Sequence, residues 1–481
     1  MQARSLQFIT TACAGELLSG SASAGVSRVC TDSRQLQPGD LFLALPGERF
    51  DGHDFLPEVA KKAAALVAER HRLVCHAGRW SVLAANGVPR ELDLGSCALI
   101  AVDHTRQALG RLAERYRAEF ALPVVAVGGS NGKTTTKELI ASVLKQKLAT
   151  LWSEASFNND IGVPLTLLKL DGSHQAAVLE VGTNHPGELA PLVRMVQPRY
   201  GVITSIGREH LEYFGDVAGV AQEEGWLAEL LPAQGKLILN GDSEWTEQVV
   251  RRTGAAVVRV GFADGNQWRV RSLRLDKQGV AFRVEAPQPD FAGEYRVNLL
   301  GRHQAGNALL AVALGAELGL SRAEIERGLA ECKPAKMRLQ LWEANGVRVL
   351  DDAYNANADS MIAALQTLQG LPCKGRRVAV LGDMAELGAH AEAAHEEVGR
   401  QAAQLGVGQL FAVGQMASLL ARGARRAGLT RIFEFTDVEA AGAAIKKFVK
   451  NGDLVLLKAS RATRLERIAE LLRGADAVRK N

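Results

Sequence analysis

The stretch VVAVGGSNGKTTTKEL, Val124 to Leu139, decides how the chain is read. Pro123 followed by Val124, Val125, Ala126 and Val127 is an apolar run of strand length, and from Lys133 the residues Leu139, Ile140, Val143 and Leu144 recur at helical spacing. Between them Gly128, Gly129 and Gly132 allow a tight turn and close backbone approach, so successive N–H groups and the start of the helix face an anion. Strand, glycine loop and helix in this order predict a phosphate-binding loop, with Lys133 reaching the outer phosphates and Thr134 a magnesium ion. The usual spacing would put a glycine where Val127 stands, so the run is a variant, G-x-x-G-K-T-T. A glycine turn that holds nothing is the bland alternative, and the Gly-Lys-Thr-Thr run weighs against it.

Length and composition bound the rest. A chain of 481 residues exceeds one ordinary core and predicts about three domains. Hydrophobic content of 47% and charge of 23% are those of a soluble globular protein, and a net charge of +4 gives no case for nucleic acid. The cysteines, Cys13, Cys30, Cys75, Cys97, Cys332 and Cys373, are scattered without a C-x-x-C, which points to neither a disulfide framework nor zinc and suits a reducing cytoplasm. The start, MQARSLQFITTACAGELLSG, lacks an apolar core of signal-peptide length, and no run approaches a membrane span. Neither export nor membrane insertion is expected.

Before the loop, short strands and turns such as LQPGD lead to an Arg-rich helix expected over 105–120, a small α/β unit. From Leu122 apolar strands alternate with helices, which predicts a mostly parallel sheet covered on both faces. Residues 266–300 alternate apolar and polar, as antiparallel strands do, and a helix is expected over 307–318. Around CKPAKMRLQ the helical pattern breaks and a second strand and helix series begins, placing a domain boundary near Pro334.

Polar residues closing apolar strands carry extra weight, because ligands in open α/β sheets sit beyond the carboxyl ends of the strands. Glu180 closes AAVLE and is a hard oxygen ligand suited to magnesium; helix capping or ion pairing accounts for it otherwise. His210, after VITSIGRE, is placed to meet the same ion, although a lone histidine is more often structural. Asp351, Asp352 and Asp383 follow later strands, and Asp352 is a candidate for a ribose, with turn duty equally open. Lys458 and Arg461 end the last strand. Asn158 and Asn159 in ASFNNDIGVP suit a polar substrate or a turn, and His303 and Asn307 in GRHQAGNALLA suit a base or a helix cap.

Taken together, GGSNGKTT, FNNDIGVP, LEVGTNHPGE, HLEYFG, GRHQAGNA and DDAYNANADSM, in this order over nearly the whole chain, resemble the Mur ligase family of ATP-dependent amino-acid ligases. Within it, TDSRQLQPGDLFLALPGERFDGHDF (31–55), DDAYNANADSM and GDMAELG (382–388) resemble the branch that adds D-alanyl-D-alanine to UDP-N-acetylmuramoyl-tripeptide. No D-N-P-R run of the diaminopimelate-adding branch is present.

The resemblance implies three domains: 1–121 for the UDP end, 122–334 as the P-loop ATPase with a mostly parallel sheet, and 335–481 as a Rossmann-like domain. It implies that Gly129, Ser130, Asn131, Gly132, Lys133, Thr134 and Thr135 hold ATP, with His303 and Asn307 at the adenine, Asp352 at the ribose and Arg338 at phosphate. Thr134 and Glu180 are implied as ligands of one Mg2+ and His210 of a second, Asp32, Ser33 and Arg34 as neighbours of the uridine diphosphate, and Asn158 and Asn159 of the muramyl part. Four positions depart from the family pattern: Ser156 for Asn, Met337 for the Gly before Arg338, Ala459 for the Gly of K-G-S-R, and Glu224 for a lysine carried as a carbamate. Glu224 is expected to serve magnesium directly or through water, or else to face solvent.

The function expected is ATP-dependent ligation through an acyl phosphate by a cytoplasmic monomer. Another amino-acid ligase of this type, a folylpolyglutamate-type ligase, or a nucleotide-binding regulator without ligase chemistry are the alternatives.

Overall fold

The computed structural model describes residues 1–47 and 49–474. Glu48 of the 31–55 motif and residues 475–481 of the expected third domain lie outside the described residues. The chain forms two compact units, one of Met1–Ala126, Ala149–Val181 and Ala190–Pro198, the other of Val127–Leu148, Gly182–Leu189 and the chain from Arg199 onward.

In the first unit Ala98–Val102, Ala65–Glu69, Leu41–Leu43 and Val29–Cys30 lie parallel, with Glu16–Ser19 antiparallel along the outer edge of Ala98–Val102. Every residue of Ala65–Glu69 and Ala98–Val102 is buried, as a parallel strand covered on both faces requires. The fully buried His53 ties the following turn to this sheet: Nδ1 meets Asp51 at 2.7 Å and Nε2 accepts the Glu69 N–H at 3.0 Å. The Arg-rich helix is Thr105–Arg117, shorter than expected, because the Glu119 and Phe120 N–H groups turn back to Tyr116 and Arg117 carbonyls and tighten the end into a 3₁₀-type turn. Thr150–Trp152 and Ala176–Glu180 form a further parallel pair.

In the second unit Tyr200–Ile203, Lys236–Asn240, Ala256–Gly261 and Trp268–Asp276 run parallel, and the alternating segment adds Gly279–Glu285 and Gly293–Val297 antiparallel. The helix Lys133–Leu144 packs on His303–Glu317 and Arg322–Glu331. Small residues set that approach: a Cβ on Gly328 would lie 2.4 Å from Val143 Cα. His303–Glu317 begins a turn earlier than expected because Gly301, at φ +109°, reverses the chain and lets His303 be helical.

A second sheet in this unit has the order Gln340–Ala344, Val347–Asp351, Leu454–Lys458, Arg377–Gly382, Gln409–Val413, Ile432–Phe435, parallel except for the first strand. Alternate residues of LVLLK feed opposite cores: Leu454 and Leu456 join Leu350, Met361 and Leu410, while Val455 and Leu457 join Val349, Phe411 and Ile445. The last strand is inserted between two earlier ones, so the strand order reverses beside Asp351 and Lys458, the kind of position at which open α/β sheets form a ligand crevice.

Candidate active site

The loop is shaped by what surrounds it. Gly129 at φ +108° and Gly132 at φ +88° adopt backbone that L side chains avoid, and there is no room for one: a Cβ would lie 2.5 Å from Thr204 Oγ1 and 2.7 Å from Asn307 Oδ1 respectively. Thr204 Oγ1 donates to Asn131 O at 2.7 Å, the Asn131 N–H donates to Ser205 Oγ at 2.9 Å, and the Ser130 N–H to Ser205 O at 2.8 Å. The strand end at Tyr200–Ile203 therefore moulds the loop. Gly132, having no side chain, leaves the first turn of Lys133–Leu144 without a side-chain cap, and Thr134 and Thr135 follow on that turn.

Charged groups gather beneath it. Lys133 Nζ donates to Gly129 O at 2.5 Å and meets Glu209 Oε2 at 3.2 Å. Glu224 lies on the helix Val217–Glu229 and is fully buried, not solvent-facing; its Oε2 accepts the Gly129 N–H at 2.7 Å. Burial pushes the Glu224 carboxyl up to about 8, with Lys133 opposing the rise and Glu209 adding to it. Its neighbour Glu223 is structural, accepting the Gly187 and Leu189 N–H groups at 2.9 and 2.8 Å. His210 stands at φ +47°, with Nδ1 on the Glu386 carboxylate and Nε2 3.9 Å from Glu209 Oε2. That hydrogen bond holds the Glu386 carboxyl below its ordinary value.

The crevice of the second sheet gathers another set. Lys458 is buried with Nζ 2.6 Å from Asp352 Oδ2 and 3.0 Å from Asn355 O, and Asp352 Oδ1 accepts the Leu339 N–H at 3.2 Å. Burial draws Lys458 below its usual value, opposed by Asp352. Burial also pushes the nearby His303 imidazole down to about 4, leaving a neutral ring. Arg338 lies 4.3 Å above the Tyr354 ring, between Met337 and Leu339 at φ +59° and +48°. Asn357 Nδ2 donates to Asn131 Oδ1 at 3.1 Å and so reaches the loop, and Arg208, in the segment after Tyr200–Ile203, binds Asp359 at 2.6 Å and Glu397 at 2.5 Å.

In the first unit Glu180 is buried, its Oε1 accepts Asn158 Nδ2 at 2.9 Å, and its Oε2 has no hydrogen-bond partner. Asn159 performs the turn duty open to it, with Oδ1 accepting the Ile161 and Gly162 N–H groups at 3.2 and 2.9 Å. Asp32 caps the short turn Ser33–Gln35 and pairs with the exposed Arg34 at 2.7 Å. Glu209, Asn357, Asp359 and Glu386 join the candidate site without having been expected from the sequence. Glu209 adjoins His210, and the other three lie within the DDAYNANADSM and GDMAELG motifs, which are the only signals for them.

The donor set suits magnesium. Glu209 Oε1 and Glu224 Oε1 are buried oxygens without a hydrogen-bond partner near the loop, while no three His, Cys, Asp or Glu side chains among the described residues converge into a complete metal cage. Magnesium is commonly held by one or two carboxylates together with substrate phosphates and water.

Family profiles match in three blocks: Mur ligase family, catalytic domain, over 25–117; Mur ligase middle domain over 127–315; and Mur ligase, glutamate ligase domain, over 337–461. The Escherichia coli K12 protein named UDP-N-acetylmuramoyl-tripeptide–D-alanyl-D-alanine ligase is 35% identical over 94% of both chains. The chain belongs to the Mur ligase family. A crystal structure of MurF from Acinetobacter baumannii superposes on this Mur ligase with a TM-score of 0.86 at 32% identity, covering 98% of this chain and 100% of that one. MurF from Thermotoga maritima in complex with ADP gives 0.78 at 26% identity, covering 93% and 97%. Among the departures from the family pattern, Met337 occupies left-handed backbone that suits glycine and compensates by packing: it is buried, and its Sδ accepts Arg461 Nη1 at 3.7 Å.

Proposed function

We propose that this Mur ligase joins D-alanyl-D-alanine to UDP-N-acetylmuramoyl-tripeptide at the expense of ATP, working in the cytoplasm as a monomer. Near-full-length similarity to proteins named for that reaction carries the reading. The six free cysteines suit a reducing compartment, and among the described residues no helix is long and apolar enough to cross a membrane.

The reaction needs charge compensation first. A carboxylate oxygen of the tripeptide bonds to the γ-phosphorus as the P–O bond to ADP breaks, giving an acyl phosphate. The amine of D-alanyl-D-alanine then attacks the acyl carbon and loses a proton, and the C–O bond to inorganic phosphate breaks. No protein atom is bonded at any stage. Lys133 and Arg338 are the cations we assign to the transferring phosphoryl group. Lys133 reaches it by leaving Gly129 O, while Glu209 keeps the ammonium aimed along the loop. Gly132 to Thr135 take the phosphates through the backbone N–H groups of the uncapped helix start, Gly129, Ser130 and Asn131, whose N–H groups Glu224 and Ser205 hold, shape the loop around them, and His303 and Asn307 take the adenine and Asp352 the ribose.

Thr134, Glu180, His210 and Glu224 are the residues we assign to magnesium, Glu180 with an Oε2 that has no hydrogen-bond partner. Magnesium held there would supply positive charge that offsets charge on the phosphates. Asp32, Ser33 and Arg34 are assigned to the uridine diphosphate, Asn158 and Asn159 to the muramyl part. The three-domain division at 121 and 334, with a hinge near Pro334, completes the proposal.

Phosphate release with UDP-muramyl-tripeptide should require D-alanyl-D-alanine and yield the UDP-muramyl-pentapeptide. Equal release with free L-lysine or D-glutamate would overturn the substrate assignment.

A further inference from the structure

His210 and Glu386 are both non-glycine residues in left-handed backbone, at φ +47° and +58°, and their side chains meet although 176 residues separate them. Such conformations cost of order 1–3 kcal/mol each and persist where surrounding contacts fix them. The contacts are here. The Glu212 N–H donates to Glu386 O at 3.0 Å, the Ala385 N–H donates to Ser460 Oγ at 2.9 Å, and His390 Nε2 meets Gly215 O at 2.8 Å. The turn carrying Glu386 is thus seated on the turn carrying His210.

A carboxylate only accepts, so its partner nitrogen, Nδ1, is the one that carries hydrogen, and the lone pair of a neutral ring lies on Nε2. Nε2 points toward the loop side, 3.9 Å from Glu209 Oε2, and that oxygen meets Lys133. The ring therefore spans from the GDMAELG turn to the floor of the phosphate loop. A histidine that binds metal is regularly held this way by a carboxylate on its other nitrogen.

We propose that Glu386 is a positioning residue that fixes the His210 tautomer and ring orientation so that Nε2 is presented to magnesium. Because Glu386 belongs to the turn after Arg377–Gly382, retention of the ion depends on that turn being seated. The inference rests on the assignment of His210 to magnesium.

The test uses the full chain with ADP and manganese as a paramagnetic substitute for magnesium, reading bound metal by electron paramagnetic resonance. Loss of such a partner typically weakens metal binding about 10- to 100-fold. Glu386→Ala should weaken manganese retention in that range, and His210→Ala at least as much. Weakening by His210→Ala with wild-type retention in Glu386→Ala would overturn the role of Glu386. Wild-type retention in His210→Ala would overturn the metal assignment beneath it. Nitrogen-15 spectra of the unaltered protein give a reading independent of any variant's folding: His210 should carry hydrogen on Nδ1, and a neutral ring with hydrogen on Nε2 would overturn the proposal.

Discussion

Gly129 and Glu224, 95 residues apart, are joined by a 2.7 Å hydrogen bond from the Gly129 N–H to Glu224 Oε2, so the glycine loop is anchored to a buried carboxyl. This carboxyl has a consequence for stability. In the unfolded chain it titrates near 4.5, and in the folded protein burial raises it to about 8. Between those values the folded protein keeps a proton that the unfolded chain has released, so this group's contribution is full at low pH and is lost as pH rises toward 8. Glu224→Gln has no such proton. In metal-free buffer the melting temperature of Glu224→Gln minus that of the wild type should rise from about pH 5 to about pH 8. A difference independent of pH would contradict the buried, proton-holding state.

No lysine lies between Gly215 and Lys236, so that segment supplies no carbamate. Ligation should proceed at an unchanged rate in carbon-dioxide-free buffer. A rate that collapses there and returns with bicarbonate would place a carbamate elsewhere in the site.

Lys133→Ala removes a cation whose value grows as charge develops on the phosphoryl group. By analogy with loss of one transition-state donor, kcat should fall roughly 10²- to 10³-fold. The variant also strips the buried Glu209 of its partner, so it should melt below the wild type, a cost the sequence alone does not reveal. Steady-state kinetics and calorimetry read the two effects separately, and near-normal ligation would contradict the role of Lys133.

Arg208 bridges Asp359 and Glu397, tying the segment after Tyr200–Ile203 to the second sheet. Arg208→Ala should loosen that attachment and increase the radius of gyration in X-ray scattering. A profile identical to the wild type would show that the bridge does not hold the two together.

At Met337 backbone strain and side-chain packing oppose each other. Glycine would relieve about 1–2 kcal/mol of left-handed strain, whereas burying a methionine contributes about 1.5–3 kcal/mol and glycine adds chain entropy to the unfolded state. Packing outweighs strain, so Met337→Gly should lower the melting temperature. A higher one would show that strain dominates.

The loop was legible because its chemistry is local: an apolar strand, glycines at the turn and a helical period are consecutive in sequence. The antiparallel strands were legible in the same way, from the alternation that begins near residue 266. The floor of the site was not. GVAQEEGWL gives two adjacent glutamates, and only tertiary packing makes Glu223 accept the N–H groups of Gly187 and Leu189 while Glu224 goes under the loop. The His210 and Glu386 pair, like Asn131 and Asn357, joins distant segments whose separate motifs carry no sign of one another.

The central claim is that the γ-phosphoryl group passes to the substrate carboxylate. Oxygen-18 placed in the terminal carboxylate of UDP-muramyl-tripeptide tests it most directly, by mass spectrometry of the inorganic phosphate released with D-alanyl-D-alanine. One labelled oxygen from that carboxylate should appear in phosphate for each peptide bond formed; unlabelled phosphate, or label found in AMP, would contradict the acyl-phosphate route.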